Sequence, residues 1–159
     1  MEKSTYHFKL LSETEKAYIA GLLDGEGSIF ISRNYYYTKK GRQRFSHLLK
    51  VSIANTDYKI MLWLKSKCNG CISIYPAKRQ NTRESWQWVI GSIQARYFLE
   101  AISPYVRIKI LQLQLAIKFQ KRKEENGSCS VSDSEIENRE NYKFQISKLC
   151  LRPKDLLKI

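Results

Sequence analysis

The sequence predicts an α/β chain whose elements run α-β-β-α-β-β-α, with further helices behind. Three observations predict it. Helical spacing of apolar residues gives way twice to strict alternation, first after Glu26 and again after Gly70. Each alternating stretch is interrupted by a polar, basic turn, as a hairpin requires. Finally, Gly70 and Ser103-Pro104 fall where helices should stop, and Pro153 follows the last one.

The first helix begins at Ser12-Glu13-Thr14-Glu15, a capping-box pattern in which serine and glutamate satisfy each other's backbone N–H. Ile19, Ala20, Leu22 and Leu23 supply its apolar stripe within Ile19-Ala20-Gly21-Leu22-Leu23-Asp24-Gly25-Glu26-Gly27. Ala17, Gly21 and Gly25 are spaced by four and share another face. An interior glycine costs about 1 kcal/mol against alanine. Two in one short helix therefore point to close approach by a second helix backbone.

After Glu26, Ile29 and Ile31 face the core while Ser28, Phe30, Ser32, Asn34 and Tyr36 face outward. Thr38 to Gln43 forms the tip, with Lys39, Lys40 and Arg42. The return strand, about 44–53, buries Phe45, His47, Leu49, Val51 and Ile53. Arg44, Ser46, Leu48, Lys50 and Ser52 are left outside. His47 reads as a packed or hydrogen-bonded histidine. Asn55-Thr56-Asp57 caps a helix over about 57–68. A second hairpin pairs Ile72 and Ile74 with Trp86, Trp88 and Ile90 across a basic loop, Pro76 to Arg83. Ser92 opens a helix that stops at Ser103-Pro104. The next is expected from near Tyr105, with Ile108, Leu111, Leu115 and Phe119 as its apolar stripe. A last helix, about 133–150, starts at Ser132.

The chain divides into an N-terminal arm, 1–11, a core, 12–122, and a C-terminal helical extension of the same domain, 123–159. Its 159 residues, 43% hydrophobic, suffice for one packed core rather than a disordered chain. With 28 Lys+Arg against 15 Asp+Glu, the charge of +13 points to a polyanionic partner. No apolar run approaches the roughly 18 residues of a membrane span, and the N-terminus lacks a signal-peptide core. We therefore expect an intracellular protein with no membrane partner, its compartment undetermined. Of the four cysteines, Cys68 and Cys71 form a lone CxxC, while Cys129 and Cys150 stand apart. Structural zinc sites usually bring two close pairs, so these read as reduced thiols in packing and loop positions.

Charge placement suggests a nucleic-acid face. Basic groups neutralise phosphates, and amides and hydroxyls read base edges in the major groove. The set comprises Ser28, Phe30, Ser32, Arg33, Asn34, Tyr36, Lys39, Lys40, Arg42, Arg44, Ser46, Lys50 and Ser52 on the first hairpin. The second contributes Tyr75, Lys78, Arg79, Gln80, Asn81, Arg83 and Gln87. Any one of these residues would also suit a merely solvated sheet face. At the first helix end, unpaired carbonyls and the dipole add to the Glu26 carboxylate, which attracts a cation such as Mg²⁺. One carboxylate and one carbonyl are too few ligands, so a second copy of the site is expected nearby.

The stretch Ile19 to Gly27 resembles the signature of the LAGLIDADG homing endonucleases, with Gly21, Asp24, Gly25 and Gly27 in register and Glu26 at the usual second aspartate. The resemblance extends over most of residues 12–122. It implies the family's α-β-β-α-β-β-α core, an antiparallel saddle-shaped sheet with helices on one face. One signature copy implies a homodimer, with Ala17, Gly21, Asp24 and Gly25 at the interface. The activity implied is metal-dependent cleavage of both strands of a long, pseudo-palindromic double-stranded DNA site, leaving 3′ overhangs, as in intron homing. By the same resemblance Glu26 and the Gly25 carbonyl hold Mg²⁺ or another divalent cation such as Mn²⁺. Asn55 orders solvent, with Lys59 one helical turn on, and Lys109 lies near the scissile phosphate. Glu26 is a methylene longer than aspartate, and Asn55 is shorter than the glutamine of some relatives. The alternatives are a maturase acting on intron RNA and a DNA-binding regulator without cleavage.

Overall fold

The computed structural model describes residues 8, 10–76, 83–127 and 131–150. Its elements are α1 (Glu13–Glu26), β1 (Gly27–Tyr37), β2 (Gln43–Asn55), α2 (Tyr58–Cys68), β3 (Cys71–Tyr75), β4 (Ser85–Gly91), α3 (Ser92–Ile102), α4 (Ile110–Glu125) and α5 (Asp133–Leu149). A 3₁₀ turn, Ser103–Tyr105, separates α3 from α4.

The capping box of α1 is complete: Glu15 N–H donates to Ser12 Oγ (3.2 Å) and Ser12 N–H to Glu15 Oε2 (2.9 Å). Both hairpins form and join as one antiparallel sheet in the order β1-β2-β4-β3. Register places Ile29 beside Val51 and Val51 beside Ile90, while Ile53 and Ile72 both flank Trp88. This inner face is closed by Ile19 and Leu23 of α1, Met61 and Leu64 of α2, and Phe98, Leu99 and Ile102 of α3, all fully buried. At about 25 cal/mol per Å² of apolar surface, that burial is the main favourable contribution to folding. Trp88 Nε1 donates to the Asn69 carbonyl (2.6 Å), fixing the turn into β3.

α4 departs from expectation. It starts at Ile110, not near Tyr105, because Pro104 closes a 3₁₀ turn and Val106 is extended (φ −71°, ψ 133°). The apolar stripe shifts accordingly. Ile108 is 74% exposed and Leu111 is exposed, whereas Val106 and Leu113 are buried. The C-terminal extension supplies α5, N-capped by Ser132, which packs on β1 and α4. Ile146 of α5 reaches the core. Cys68 is buried, which pushes its thiol up to about 12, while Cys71 and Cys150 are exposed. Cys129 and nearly all of the arm lie outside the described residues. No described helix is long and apolar enough to cross a membrane.

Candidate functional site

α1 delivers its last residue, Glu26, exposed at the start of β1. Gly27 makes that junction possible. Its N–H donates back to the Leu23 carbonyl, and a Cβ there would lie 2.5 Å from Leu23 Cδ1 and 2.6 Å from Leu23 O. The last turn of α1 contains no basic residue. Glu26 borders an open cleft of about 420 Å³ with Ala54, Asn55, Thr56 and Ser85. Asn55 therefore lines the same cleft as Glu26. Its Oδ1 accepts the Asp57 N–H (2.9 Å), which leaves the amide NH₂ as its remaining donor. Lys59 is not part of that lining: it is exposed on the first turn of α2, with its N–H bonded to Asp57 Oδ1 (2.8 Å).

Lys109 does reach the junction, since its Nζ donates to the carbonyl oxygen of Asp24, two residues before Glu26. Asp24, which the resemblance places at the dimer interface, has both carboxylate oxygens engaged within its own chain. Oδ2 accepts the N–H groups of Arg107 (2.8 Å) and Ile108 (3.1 Å), and Oδ1 that of Lys109 (3.0 Å). Burial pushes this carboxyl up, but the three N–H donors and the Lys109 ammonium outweigh burial and hold it below its ordinary value. No local pattern announces these contacts, because the partners lie 83 to 85 residues away.

The small face of α1 is open. Ala17, Gly21 and Gly25 are exposed, and a Cβ on either glycine would meet nothing within 4 Å. Packing among the described residues thus gives no reason for glycine at either position. Among the described residues no three His, Cys, Asp or Glu side chains converge. One chain therefore offers a cation Glu26 and backbone oxygens, donors of the type that suits a hard divalent ion.

On the outer sheet face, Ser28, Phe30, Asn34, Tyr36 and Arg44 are exposed, and Ser46, Lys50 and Gln87 half-exposed. Ser32 is half-buried, its Oγ without a hydrogen-bond partner among the described residues. Tyr75 donates its hydroxyl to Gln87 Oε1 (2.9 Å), which leaves the Gln87 amide NH₂ as its remaining donor. Lys39, Lys40 and Arg42 crown the tip, where Gly41 takes φ +73°. With Arg44, Lys50 and the exposed Arg83, none of these cations pairs with an acid among the described residues. The ion pairs gather on the helical side instead.

Two residues leave the set. Ser52, though on the outer face, is 4% exposed, shaded in the central strand between Ser28 and Val89. Arg33 shares the inner parity of Ile29 and Ile31. Its Nε donates to Glu140 Oε1 (2.7 Å), and its guanidinium lies over Phe45. Lys78, Arg79, Gln80 and Asn81 lie outside the described residues.

The family model for LAGLIDADG endonucleases matches residues 19–107, from the apolar stripe of α1 to the turn that carries Lys109. The chain belongs to the LAGLIDADG endonuclease family. Among solved structures, it is similar to the homing endonuclease I-CvuI in complex with DNA (TM-score 0.66, 16% identity, 94% of this chain and 87% of that one). It is also similar to the archaeal intron-encoded homing endonuclease I-Vdi141I complexed with DNA (0.67, 16%, 88% and 86%). It covers 48% of the LAGLIDADG meganuclease I-AabMI (0.62, 18%, 90% of this chain). No curated protein matches the chain at a significant level.

Proposed function

We propose that the protein is a homodimeric, site-specific DNA endonuclease of the homing type. It would hydrolyse one phosphodiester on each strand of a long pseudo-palindromic site and leave 3′ overhangs. The observation that carries this reading is Glu26, exposed and, among the described residues, unpaired at the end of a helix whose neighbouring small face none of those residues covers. Pairing two α1 helices through Ala17, Gly21 and Gly25 brings two Glu26 carboxylates together, and closed twofold pairing is the commonest oligomeric form. Near-complete coverage of I-CvuI, beside half coverage of I-AabMI, supports a chain that is one of two repeats.

Glu26 and the Gly25 carbonyl of each subunit would hold Mg²⁺ or another divalent cation such as Mn²⁺; I-CvuI is known with Mg and with Ca. Such ions, when bound, lower the pKa of water and neutralise charge at a phosphodiester. The chain's own residues do the rest. Asn55 hydrogen-bonds solvent at the cleft, and Lys109 sets a positive charge where the pentavalent phosphate gains negative charge. Lys59 reaches DNA from outside the cleft. The outer face tracks the groove: Lys39, Lys40, Arg42, Arg44 and Lys50 meet phosphates, while Asn34, Tyr36, Ser28 and Gln87 read base edges. Two identical halves make the site roughly palindromic.

The test uses a library of randomised DNA sites, incubated with and without Mg²⁺, and sequencing of the ends produced. Metal-dependent double-strand cuts with 3′ overhangs support the reading. Glu26→Gln is expected to keep DNA binding and lose cutting; cutting at the normal rate would remove Glu26 from the metal site. Binding without cutting would favour a regulator, and preference for intron RNA a maturase.

A further inference from the structure

We propose that Asp24 is a positioning residue that fixes Lys109 at the acidic junction. This role rests on the endonuclease reading above and assigns it a further part.

Asp24 grips the same short segment in two ways. Its carboxylate accepts the backbone N–H groups of Arg107, Ile108 and Lys109 at 2.8, 3.1 and 3.0 Å, and its own carbonyl accepts Lys109 Nζ. Lys109 is the N-cap residue of the 16-residue α4 and makes no side-chain cap of its own. Asp24 thus satisfies the N–H of the α4 N-cap residue and of the two residues ahead of it from another helix, and its negative charge beside the start of α4 complements the dipole. At the far end of α1, the Tyr105 hydroxyl donates to Glu13, so the segment between α3 and α4 is tied to α1 at both ends.

The consequence concerns reactivity. A lysine side chain is long and samples many rotamers. With its backbone and ammonium both anchored to residue 24, Lys109 holds its charge two residues from Glu26 before any DNA arrives. Such pre-organisation acts on rate rather than on affinity. A carboxylate is needed because three N–H donors converge on it. Asparagine at 24 would offer one acceptor oxygen and turn an NH₂ toward the remaining donors.

The experiment compares the full-length wild-type chain with Asp24→Asn, Lys109→Met and the double variant. Acetylation of Lys109 by acetic anhydride, read by peptide mass spectrometry, is expected to speed up in Asp24→Asn. Single-turnover cleavage is expected to fall roughly 10–100-fold in Asp24→Asn, with DNA affinity little changed. The double variant should be no slower than the worse single variant, since both losses act through one group. Unchanged acetylation, or losses that multiply, would overturn the proposal. If the wild type cuts no DNA the endonuclease reading fails, while acetylation still decides whether Asp24 holds Lys109. Should Asp24→Asn not fold, amide exchange on the wild type decides. N–H groups of 107–109 protected like those of α4 support the grip; exchange like an open loop refutes it.

Discussion

Gly70 shows how a single residue sets the geometry between α2 and β3. It takes φ +88°, and a Cβ would lie 2.6 Å from the Val89 carbonyl and 2.7 Å from Trp88 Nε1. Gly41 at the hairpin tip also has positive φ, yet a Cβ there meets nothing within 4 Å. Gly41→Ala is therefore expected to destabilise by the backbone term alone, about 1–2 kcal/mol. Gly70→Ala adds a clash against main chain and a buried indole, for about 3 kcal/mol. Thermal unfolding of the two variants checks the order, and an equal Tm shift would show that the turn at 70 can open. Charge tells a similar story within one hairpin: Arg33, on the inner face, pairs with Glu140, while Arg42, at the tip, meets no acid among the described residues.

At the scale of elements, α5 and the distal half of the first hairpin depend on one ionic cluster. Glu140 accepts from Arg33 Nε (2.7 Å) and His47 Nε2 (2.6 Å), and Lys123 Nζ donates to the His47 carbonyl. The Arg33 guanidinium, against some burial and with His47 helping, holds the Glu140 carboxyl at about 2, far below its ordinary 4.5. Burial pushes His47 below its ordinary 6.5 more strongly than Glu140 pulls it up, so the ring stays neutral and Nε2–H donates. The two signs agree. A depressed carboxylate contributes stability that is whole above its unfolded value and lost as pH falls toward 2. A depressed histidine binds its proton more readily unfolded, so stability falls as pH drops through 6.5. Glu140→Gln is thus expected to lower Tm at neutral pH and to flatten the fall of Tm between pH 4.5 and 2. An unchanged pH slope would detach the cluster from folding. On the other side, Arg96 bonds both Glu100 and Glu124 and so joins α3 to α4.

For the whole molecule, the open side of α1 is the decisive surface. Because none of the described residues lies within 4 Å of a Cβ at Gly21, Gly21→Leu should leave the isolated subunit folded. Leucine is also the better helix former, by nearly 1 kcal/mol. Through a close helix–helix seam the same side chain would force two backbones apart. The expected outcome is a monomer by analytical ultracentrifugation, with unfolding no weaker than wild type at low concentration and no double-strand cutting. A Gly21→Leu dimer that still cuts would place the twofold contact elsewhere. Charge is divided between the two sides of the subunit: acids meet bases among the helices, and the cations of the sheet's outer face meet no acid among the described residues.

Local rules were enough for much of this. Period, caps and breakers in the sequence determine α1, both hairpins, α2 and α5. The signature determines the family and puts Glu26 at a helix end, because these features depend on residues within a few positions of one another. Tertiary structure alone decided the start of α4, the burial of Ser52, the inward turn of Arg33 and the engagement of Asp24. Helical spacing at Ile108 and Leu111 could not reveal a carboxylate 84 residues earlier that holds this segment as a turn. Nor could alternation reveal that α5 covers the end of β1 and offers Arg33 an acid. Each of these outcomes depends on a partner distant in sequence, and periodicity carries no information about such partners.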